Sequence, residues 1–474
     1  MRRAGETGCA MLHAHASLCL AMLVVGCSQT HALEEPDWQS GSRLRAWVHD
    51  GGGTRMFVGW RDTELGTDCA MAETADGTLR CFPPTAIATT YFADAHCTDA
   101  IVAGLPDAAF VTTSDPSPET DCAASTFRVF GRAPAVADVG VVRAVHRIAG
   151  SRPAPTEVYV RAPDGTCSPA PQRPNGNWRA RGDEVPLDQF VRAVRARVPG
   201  ADGLTVVSIL ADDGARAWGG LLHSETGVQC VPGGSDRLRC VPVWTGLSHG
   251  GVYADDACTV PTSFVQFRPA SCPAPTLALD VRTSCQPQPL RTVTGLAAAS
   301  FARADDGTCT PLPVEEHVWS LGSTIDGAAL DPIAPPLERH LRGDGPLRVV
   351  RYLGPSGGLA HTFGWVRPDG VGCEEITVGP SRDIVCVDTG MRFVGYADAA
   401  CTQPLANDRQ TCGEAHEHVV IGGDILPVGG AYDGPVFDRR GTCQEVPVAD
   451  GATYYRLGAP IDASTLPHIL RVLE

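Results

Sequence analysis

One cysteine-centred phrase occurs three times in this 474-residue chain and constrains its fold more than any other feature. An aromatic residue, Ala and Asp are followed by two variable residues and then by Cys-Thr, in copies that span residues 92–98, 253–259 and 396–402. Two cysteines precede each copy, another follows it, and a Gly-Thr-Cys phrase comes further downstream. Matches at so many offsets predict three homologous repeats, at residues 43–202, 203–345 and 346–474.

The local signals within each repeat are those of short β-strands. Asp-Gly pairs such as Asp76-Gly77 and Asp306-Gly307 separate β-prone segments, and this dipeptide favours tight hairpins because both of its residues adopt positive φ. Long helical periodicity is nearly absent. We therefore predict an all-β fold of three tandem disulfide-rich repeats, each in two halves. The repeats either close as a six-bladed β-propeller, which leaves few exposed edges, or form three separate β-domains.

The beginning of the chain has the pattern of an export signal. Arg2 and Arg3 precede an apolar segment at 18–25 that is too short to span a bilayer. The following Val24-Val25-Gly26-Cys27 resembles a bacterial lipobox, which implies a signal peptide at 1–26, acylation of the Cys27 thiol and a tether at 27–42. An ordinary signal peptide is the alternative. A lipid anchor makes the membrane a partner, and Ser28 favours the outer membrane because it is not the Asp that retains some lipoproteins at the inner one.

Cleavage at Cys27 leaves sixteen cysteines for the mature chain, an even number in an oxidising compartment, which predicts disulfides. No CxxC pair occurs, so a zinc finger or ribbon is disfavoured. Cysteines that flank a hairpin turn are predicted to pair as Cys69–Cys81, Cys230–Cys240 and Cys373–Cys386. We expect the next two in each repeat to pair, and Cys285 to join the nearest downstream cysteine, giving Cys97–Cys122, Cys258–Cys272, Cys401–Cys412 and Cys285–Cys309. Cys167 and Cys443 then either bridge repeats one and three or stay free.

Asp94, Asp255 and Asp398 recur in the shared phrase and are the candidate ligand residues. A threefold ring of carboxylates could bind Ca²⁺ or a cationic ligand. The alternative, which we favour, is that each carboxylate accepts local backbone hydrogen bonds in the turn before the cysteine. We expect no catalytic residue, no metal site and no cofactor.

Several other motifs are interpreted as structural. Ser248 and Ser356 lie in Gly-x-Ser-x-Gly segments without the strand-to-helix context of a nucleophile elbow, so we interpret both as turns. His416 and His418 could hold a metal but lack a third ligand. An aromatic residue follows each Gly-Thr-Cys phrase and is assigned to core packing rather than to carbohydrate stacking; the three are Trp178, Trp319 and Tyr455.

The charge composition excludes several classes of function. All 38 basic residues are arginine, so lysine Schiff-base chemistry and P-loop phosphate binding are excluded. With 54 acidic residues the formal net charge is −16, which makes nucleic acid an improbable partner because phosphate contacts supply most of that affinity.

The phrase Tyr-x-Asp-x-x-Cys-Thr resembles those of uncharacterised cysteine-rich repeat lipoproteins of high-GC bacteria. The resemblance covers residues 43–474 and implies no known activity. We expect a non-enzymatic, lipid-anchored envelope or surface protein whose scaffold binds an unknown protein or glycan. The alternatives are an extracellular hydrolase with carboxylates at a propeller centre and a purely structural envelope protein.

Overall fold

A computed structural model gives the fold of the chain. It describes residues 37–83, 91–103, 109–115, 141–161, 165–170, 177–199, 203–224, 230–233, 239–242, 246–248, 252–260, 263–264, 277–280, 290–296, 301–303, 308–311, 318–325, 335–354, 359–378, 382–388, 392–407, 417–440, 442–446 and 453–474. These residues form β-strands almost throughout, together with the single 3₁₀ turns Leu187–Gln189 and Ala463–Thr465. The prediction of an all-β, disulfide-rich fold is confirmed.

The strands follow one another at short intervals in every repeat. Residues 37–202 contain β1 (Trp38–Gln39), β2 (Leu44–Asp50), β3 (Arg55–Asp62), β4 (Thr67–Glu73), β5 (Leu79–Phe82), β6 (Tyr91–Phe92), β7 (Ala100–Ala103), β8 (Phe110–Asp115), β9 (Val141–Arg152), β10 (Tyr159–Arg161), β11 (Cys167–Pro169), β12 (Trp178–Val185) and β13 (Arg192–Pro199). Residues 203–345 contain β14 (Leu204–Ala211), β15 (Arg216–His223), β16 (Cys230–Gly233), β17 (Arg239–Pro242), β18 (Gly246–Ser248), β19 (Val252–Tyr253), β20 (Ser263–Phe264), β21 (Leu277–Asp280), β22 (Leu290–Leu296), β23 (Phe301–Arg303), β24 (Cys309–Pro311), β25 (Val318–Ile325) and β26 (Glu338–Arg342). Residues 346–474 contain β27 (Arg348–Leu353), β28 (Leu359–Val366), β29 (Gly372–Val378), β30 (Asp383–Val387), β31 (Arg392–Tyr396), β32 (Pro404–Asn407), β33 (His418–Ile421), β34 (Asp424–Tyr432), β35 (Val436–Arg440), β36 (Thr442–Val446), β37 (Tyr454–Leu457) and β38 (His468–Leu473).

The first halves of the three repeats contribute to one large sheet. Each first half is a run of four consecutive strands: β2–β5, β14–β17 and β27–β30. The strand order in the sheet is β1-β15-β14-β13-β5-β4-β3-β2-β38-β30-β29-β28-β27-β26, and β16 and β17 pair with each other. The first halves are therefore joined laterally rather than standing apart.

The last strand of each repeat is a linking strand that joins its own repeat to the next. β13 pairs with β5 on one side and with β14 on the other. β38 likewise pairs with β30 and with β2, so the third repeat connects back to the first. β26 pairs with β27, and the adjacent Pro336 bridges to Arg239 of β17. The same backbone contact recurs at the three junctions, where the cysteine N–H donates to a carbonyl oxygen at 3.0, 2.8 and 3.0 Å: Cys81 to Val191, Cys240 to Pro335 and Cys386 to Pro467.

A glycine bulge at the same place in each repeat bends the shared sheet. The glycines have φ of 154°, 143° and 153° and face the middle of the first strand, after which the register shifts: Gly59 opposite Trp47, Gly220 opposite Val207 and Gly364 opposite Val350. A bulge of this kind increases the local twist and bends the strand. The second strand of each repeat therefore curves around the core instead of running flat.

The curvature brings side chains of repeats one and three into contact. His49 on β2 lies 2.7 Å, Nδ1 to Oε1, from Glu375 on β29, although β38 and β30 separate these strands in the sheet order. Trp365 donates its indole N–H to the same carboxylate oxygen at 2.7 Å. Burial alone raises the pKa of Glu375, but the hydrogen bonds from His49 and Trp365 outweigh it, so the net pKa is lowered.

Side chains along these strands are alternately buried and exposed, and the buried ones form the core beneath the sheet. On β2 the side chains of Leu44 and Ala46 are fully buried, whereas the intervening Arg45 is exposed. Trp60, 1% exposed, packs edge-on against Phe57 in the same cluster, with ring centroids 4.8 Å apart. This cluster also contains residues of repeat two, so the core is shared between repeats.

The second halves form sheets of their own. In repeat one the order is β11-β10-β6-β7-β12-β9-β8, and in repeat three it is β33-β34-β37-β32-β31-β35-β36. Repeat two divides its described strands between β18-β21-β22-β25-β20 and β19-β23-β24. The described strands form no closed barrel or propeller. A propeller would require each first half to be a separate blade, whereas here the first halves share one sheet. The boundaries predicted for the signal peptide, the tether and the three repeats stay predictions.

Two of the predicted hairpin disulfides are confirmed. Cys69–Cys81 and Cys373–Cys386 join neighbouring antiparallel strands, with Cα atoms 5.3 and 5.4 Å apart. Cys240 is also disulfide-bonded and lies on β17, which pairs with the strand that carries Cys230.

The remaining pairing scheme is wrong. The shared-phrase cysteine bonds to the Gly-Thr-Cys cysteine of its own repeat, giving Cys97–Cys167, Cys258–Cys309 and Cys401–Cys443 in place of bonds to Cys122, Cys272 and Cys412. Cys309 is thereby excluded as the partner of Cys285, and Cys167 and Cys443 neither bridge two repeats nor stay free. Cys122, Cys272, Cys285 and Cys412 lie outside the described residues.

Strand pairing gives the physical reason for the correct partners. In repeat one β6, which leads into the shared turn, pairs with β10, and β10 pairs with β11. The Gly-Thr-Cys cysteine on β11 therefore lies two strands from the turn although it is 70 residues away in sequence. The equivalent order is β19-β23-β24 in repeat two and β31-β35-β36 in repeat three. Sheet order, not nearness in sequence, selects the partner.

The disulfides indicate a non-cytoplasmic protein, because a reducing cytoplasm does not maintain such bonds. In the part of the chain that the structure describes, no helix is long and apolar enough to cross a membrane.

Peptide mapping under non-reducing conditions tests the disulfide pattern. The expected linked peptides contain Cys97 with Cys167, Cys258 with Cys309, and Cys401 with Cys443, because these are adjacent through strand pairing. The same digest after reduction and alkylation is the control. A peptide that joins Cys97 to Cys122 would contradict the fold.

Candidate functional site

The three candidate aspartates each close a turn within their own repeat. Asp94 accepts backbone N–H bonds from His96 and Thr98 and a further one from Asp99 at 2.5 Å. Asp255 accepts from Thr259 and Val260 at 2.9 and 2.7 Å, and Asp398 accepts from Thr402 at 2.9 Å. The favoured interpretation, local hydrogen bonding in the turn, is confirmed.

The cysteine that follows each aspartate has a left-handed backbone. The φ values of Cys97, Cys258 and Cys401 are 54°, 52° and 52°, a conformation that non-glycine residues rarely adopt. Each cysteine N–H donates to the aspartate carbonyl at 3.0–3.1 Å. The bonded sulfur of the Gly-Thr-Cys cysteine, two strands away, lies 3.6–3.8 Å from the same carbonyl oxygen. Carboxylate, turn and disulfide thus hold one compact unit.

The electrostatics of the turn favour ionised carboxylates. The pKa of Asp94 is lowered mainly by the backbone N–H of Asp99, and those of Asp255 and Asp398 mainly by the hydroxyls of Thr259 and Thr402. Because these oxygens already accept several hydrogen bonds, few lone pairs remain for a cation. Over the described residues, no group of three or more His, Cys, Asp or Glu side chains is arranged to hold a metal ion.

A cleft of about 420 Å³ opens beside the turn of repeat one and is the candidate binding site. Its walls are the turn around Asp94, the end of β9 at Arg152, the connection 153–157 and Tyr159 at the start of β10. Ile101 and Trp178 form an apolar floor and are 1% and 3% exposed. The exposed lining is mainly polar, so the cleft is suited to a polar ligand.

An ion pair defines the polar side of the cleft. Arg152 donates to both carboxylate oxygens of Asp99 at 2.5 and 2.7 Å, and this hydrogen bonding lowers the pKa of Asp99. The pair remains accessible, with 34% of the Arg152 side chain and 45% of the Asp99 side chain exposed. A bidentate pair of this kind holds its charged groups in a fixed geometry at the surface.

Tyr159 and Glu157 also line the cleft. The Tyr159 hydroxyl donates to the Glu157 carboxylate, which raises the pKa of Tyr159. The phenol therefore stays protonated at neutral pH. Together with Asp94 and Asp99, the cleft presents three carboxylates and one guanidinium.

At the equivalent positions that the structure describes, the other repeats carry different residues. The backbone contact made by the carbonyl of Asp99 is made by Val260 in repeat two and by Gln403 in repeat three. Arg152 faces Trp178 across the sheet, and the matching place in repeat three is occupied by Tyr432. Residues 153–158 connect β9 to β10, whereas the shorter segment 433–435 connects β34 to β35. Among the described residues, this combination of groups therefore belongs to repeat one.

The repeat-three counterpart of Trp178 is Tyr454, one residue before the Tyr455 expected from the sequence. Trp178 faces Ala103 on β7, and in repeat three it is Tyr454, not Tyr455, that faces the equivalent Asn407. Tyr454 packs with Leu405 as Trp178 packs with Ile101. The low exposure of Trp178 agrees with core packing. Trp319 lies on β25, where its side chain is outside the described residues.

The remaining sequence motifs contribute no described site. Ser248 is the last residue of β18, which pairs in parallel with β21. It therefore lies on a sheet strand and not in a strand-to-helix turn. His418 lies on β33, and burial lowers its pKa. Ser356, His416 and the predicted lipid-bearing Cys27 lie outside the described residues.

Comparisons with protein-family models, with curated proteins and with solved structures give no match to this chain.

The cleft residues carry only a weak sequence signal. Asp99 and Arg152 are 53 positions apart, and nothing local to either predicts the other. The difference between repeats is the one available signal, because Asp99 departs from the Val and Gln that follow the shared phrase in the other copies. A search for residues shared by all three repeats therefore misses Asp99, because only repeat one has an aspartate at this position.

Replacing Asp255 by Ala tests the turn, with Asp256→Ala as the matched exposed neighbour. Asp255→Ala should lower the urea midpoint at neutral pH, whereas Asp256→Ala should not, because only Asp255 accepts the turn hydrogen bonds. The folded-state pKa of Asp255 lies below its ordinary value of 3.8, so its contribution is present above that pH and is lost as pH falls further. Denaturation curves of parent and Asp255→Ala should converge in acid. A constant difference down to the lowest pH would contradict an ionised acceptor.

Proposed function

We propose that this chain is an exported, lipid-anchored, non-enzymatic binding protein of the cell envelope, whose ligand binds in the cleft of repeat one. The observation that carries the proposal is the Asp99–Arg152 pair over an apolar floor, in a scaffold whose other two repeats lack it. A rigid repeated frame with one diverged copy is a common way to add recognition to a fold.

The anchoring part of the proposal rests on Cys27 and its lipobox-like context. The disulfides support export, and one acyl-bearing residue ahead of a short tether accounts for retention at a membrane without a spanning helix. Ser28 supports the outer membrane as the destination.

The chemistry of the cleft favours a ligand that carries hydroxyl or amine donors on an apolar ring or chain. The carboxylates of Asp99 and Glu157 keep lone pairs for a ligand, because each Asp99 oxygen accepts one bond from Arg152 and Glu157 accepts one from Tyr159. Ile101 and Trp178 lie beneath these groups but are almost fully buried, so polar contacts dominate the surface offered to a ligand. A glycan meets these requirements better than an extended peptide, because neighbouring hydroxyls of one sugar can donate to Asp99 and Glu157 at once.

Binding is favoured over hydrolysis by the state of the carboxylates. Acid-assisted glycoside cleavage needs one carboxyl group whose pKa is raised so that it carries a proton. In this cleft the pKa values of Asp94 and Asp99 are both lowered. An extracellular hydrolase is the second candidate and a purely structural protein the third.

A glycan and peptide array probed with the processed chain, expressed into an oxidising compartment, tests the binding proposal. We expect a glycan signal that Arg152→Gln weakens by about tenfold or more, because a charge-assisted hydrogen bond is lost and Asp99 is left unpaired. Glu157→Gln should weaken the same signal.

Arg456→Gln is the matched control. Gln403 is the repeat-three counterpart of Asp99, and Arg456 donates to it at 3.2 Å. Loss of binding in Arg456→Gln but not in Arg152→Gln would place the ligand elsewhere. Reproducible turnover that is abolished by Asp94→Asn would support the hydrolase instead.

Labelling with radioactive palmitate in a bacterial host tests the anchor. The parent chain should incorporate label and sediment with membranes, and Cys27→Ser should do neither. Cys19→Ser is the control, since Cys19 lies in the apolar segment that processing removes. Incorporation of label by Cys27→Ser would contradict the anchor.

A further inference from the structure

The second-half sheet of repeat one carries an arginine at a position where the other repeats have leucine. Arg181 on β12 faces Ile148 on β9, and a glycine follows it in the chain. The equivalent positions, which face another aliphatic residue and precede the same glycine, are Leu321 in repeat two and Leu457 in repeat three. In repeat three Leu457 packs against a buried apolar cluster. Repeat one therefore has a charged side chain at a position that is apolar elsewhere in the common frame.

The Arg181 side chain is half-buried, and its charge is not compensated within the part of the chain that the structure describes. No described residue forms a hydrogen bond or an ion pair with its guanidinium group. Burial lowers the pKa of Arg181, and the charge of Arg161 lowers it further, whereas the exposed Glu184 opposes both effects from a distance. A partly buried charge without such contacts is unfavourable, so the position calls for a counter-charge.

Arg161 approaches Arg181 over the same face of the sheet. Arg161 on β10 stacks on the Phe92 ring, with its guanidinium carbon 5.1 Å from the ring centroid, and donates to the carbonyl oxygen of Cys97. Phe92 faces Ala100 across the ladder of β6 and β7, and the next step of the β7–β12 ladder places Arg181 beside Ala100. The short alanine side chain leaves space between the two guanidinium groups. We call Arg161 and Arg181 the arginine pair.

The neighbouring His146 supplies no counter-charge to this pair. It lies on β9 two residues before Ile148, and burial and the charge of Arg181 lower its pKa, so its imidazole is neutral at neutral pH. Its Nδ1 atom has no hydrogen-bond partner among the described residues. In repeat three the equivalent position is occupied by Leu426, which is buried. The same face is thus apolar in repeat three and cationic in repeat one.

A tetrahedral oxyanion matches two adjacent guanidinium groups better than a planar monoanion does. Each guanidinium presents a rigid fork of N–H donors that fits two oxygens of a phosphate or a sulfate group. Two such groups also balance the charge of a dianion, whereas a single carboxylate would leave one of them uncompensated.

We propose that the arginine pair of repeat one binds the phosphate or sulfate group of an anionic ligand, on the sheet face that carries Phe92. Ile101 and Trp178, the floor of the cleft, belong to the opposite face because side chains alternate along β7 and β12. The oxyanion site and the glycan cleft therefore do not depend on each other.

Calorimetric titration with inorganic phosphate tests the site, and Arg181→Leu is the decisive variant. The protein is the processed chain from residue 27 onward, with Cys27→Ser so that no lipid is attached. Leucine occupies this position in the other two repeats, so the variant should fold as the parent does. Phosphate should bind Arg181→Leu about tenfold or more weakly than the parent, because one bidentate charge-assisted contact is lost.

The urea midpoint gives a second readout of the same site. At equal ionic strength, phosphate should raise the midpoint of the parent above its value in sodium chloride, because a ligand that binds the folded state stabilises it. The corresponding rise in Arg181→Leu should be much smaller, and sodium acetate should stabilise the parent less than phosphate does.

Arg147→Gln is the matched control for the loss of one positive charge. Arg147 lies on β9 between His146 and Ile148, is exposed, and points to the opposite face, where its guanidinium carbon is 5.3 Å from the Phe110 ring centroid. Phosphate should bind this variant as it binds the parent. Circular dichroism and the urea midpoint without phosphate establish that each variant is folded.

Glycerol phosphate distinguishes the two sources of the oxyanion. Tighter binding of glycerol phosphate than of inorganic phosphate, lost in Arg181→Leu, would support the site with an esterified group as its ligand. Equal affinity for both would support the site with the free ion as its ligand.

Several results would overturn the proposal. One is equal phosphate binding by the parent and by Arg181→Leu; another is a folded parent that binds neither phosphate, nor sulfate, nor glycerol phosphate. A third is an equal loss of phosphate binding in Arg147→Gln, since net charge and not the arginine pair would then be responsible. Failure of the parent to bind any glycan would count against the cleft and not against this site.

Discussion

The structure depends on backbone hydrogen bonds that cover the edge strands of each four-stranded first half. A four-stranded run leaves an unpaired edge on each side, and such edges are sites of aggregation unless they are covered. Here β13 fills the space between β5 and β14, and β38 does the same between β30 and β2. Each repeat thus completes the edge of the next, and the third completes that of the first. The shared core follows from this pairing, because the bulged strands curve over it.

The compact turn at the shared phrase gives the second halves a different kind of stability. It combines an ionised aspartate, a left-handed cysteine and a disulfide to the Gly-Thr-Cys strand. Covalent and local hydrogen bonds of this type maintain a small sheet without a large core. The connections between these fixed points are then free to differ in length and sequence. The cleft of repeat one lies beside such a connection, which explains how one copy of a common frame can form a feature of its own.

Part of this structure could be predicted from sequence because the relevant contacts are local or repeated. The hairpin cysteines Cys69 and Cys81 flank one turn, and the repeated Asp94 suggested its own role as a turn acceptor. The partner of Cys97 was missed because it is set by the order β6-β10-β11, which sequence spacing does not encode. The lateral fusion of the first halves was missed for a related reason. The residue pattern of a linking strand such as β38 does not indicate whether the strand pairs within its own repeat or with β2.

The most direct test of this account is hydrogen exchange, followed by mass spectrometry, on the full processed chain and on Val472→Pro. Val472 faces Val48 in the ladder between β38 and β2, and proline there removes a backbone donor. The account predicts faster exchange in β2, β38 and β30 of the variant, with the sheet of β6–β12 as protected as in the parent. Unchanged protection of β2 would contradict the pairing of the third repeat with the first.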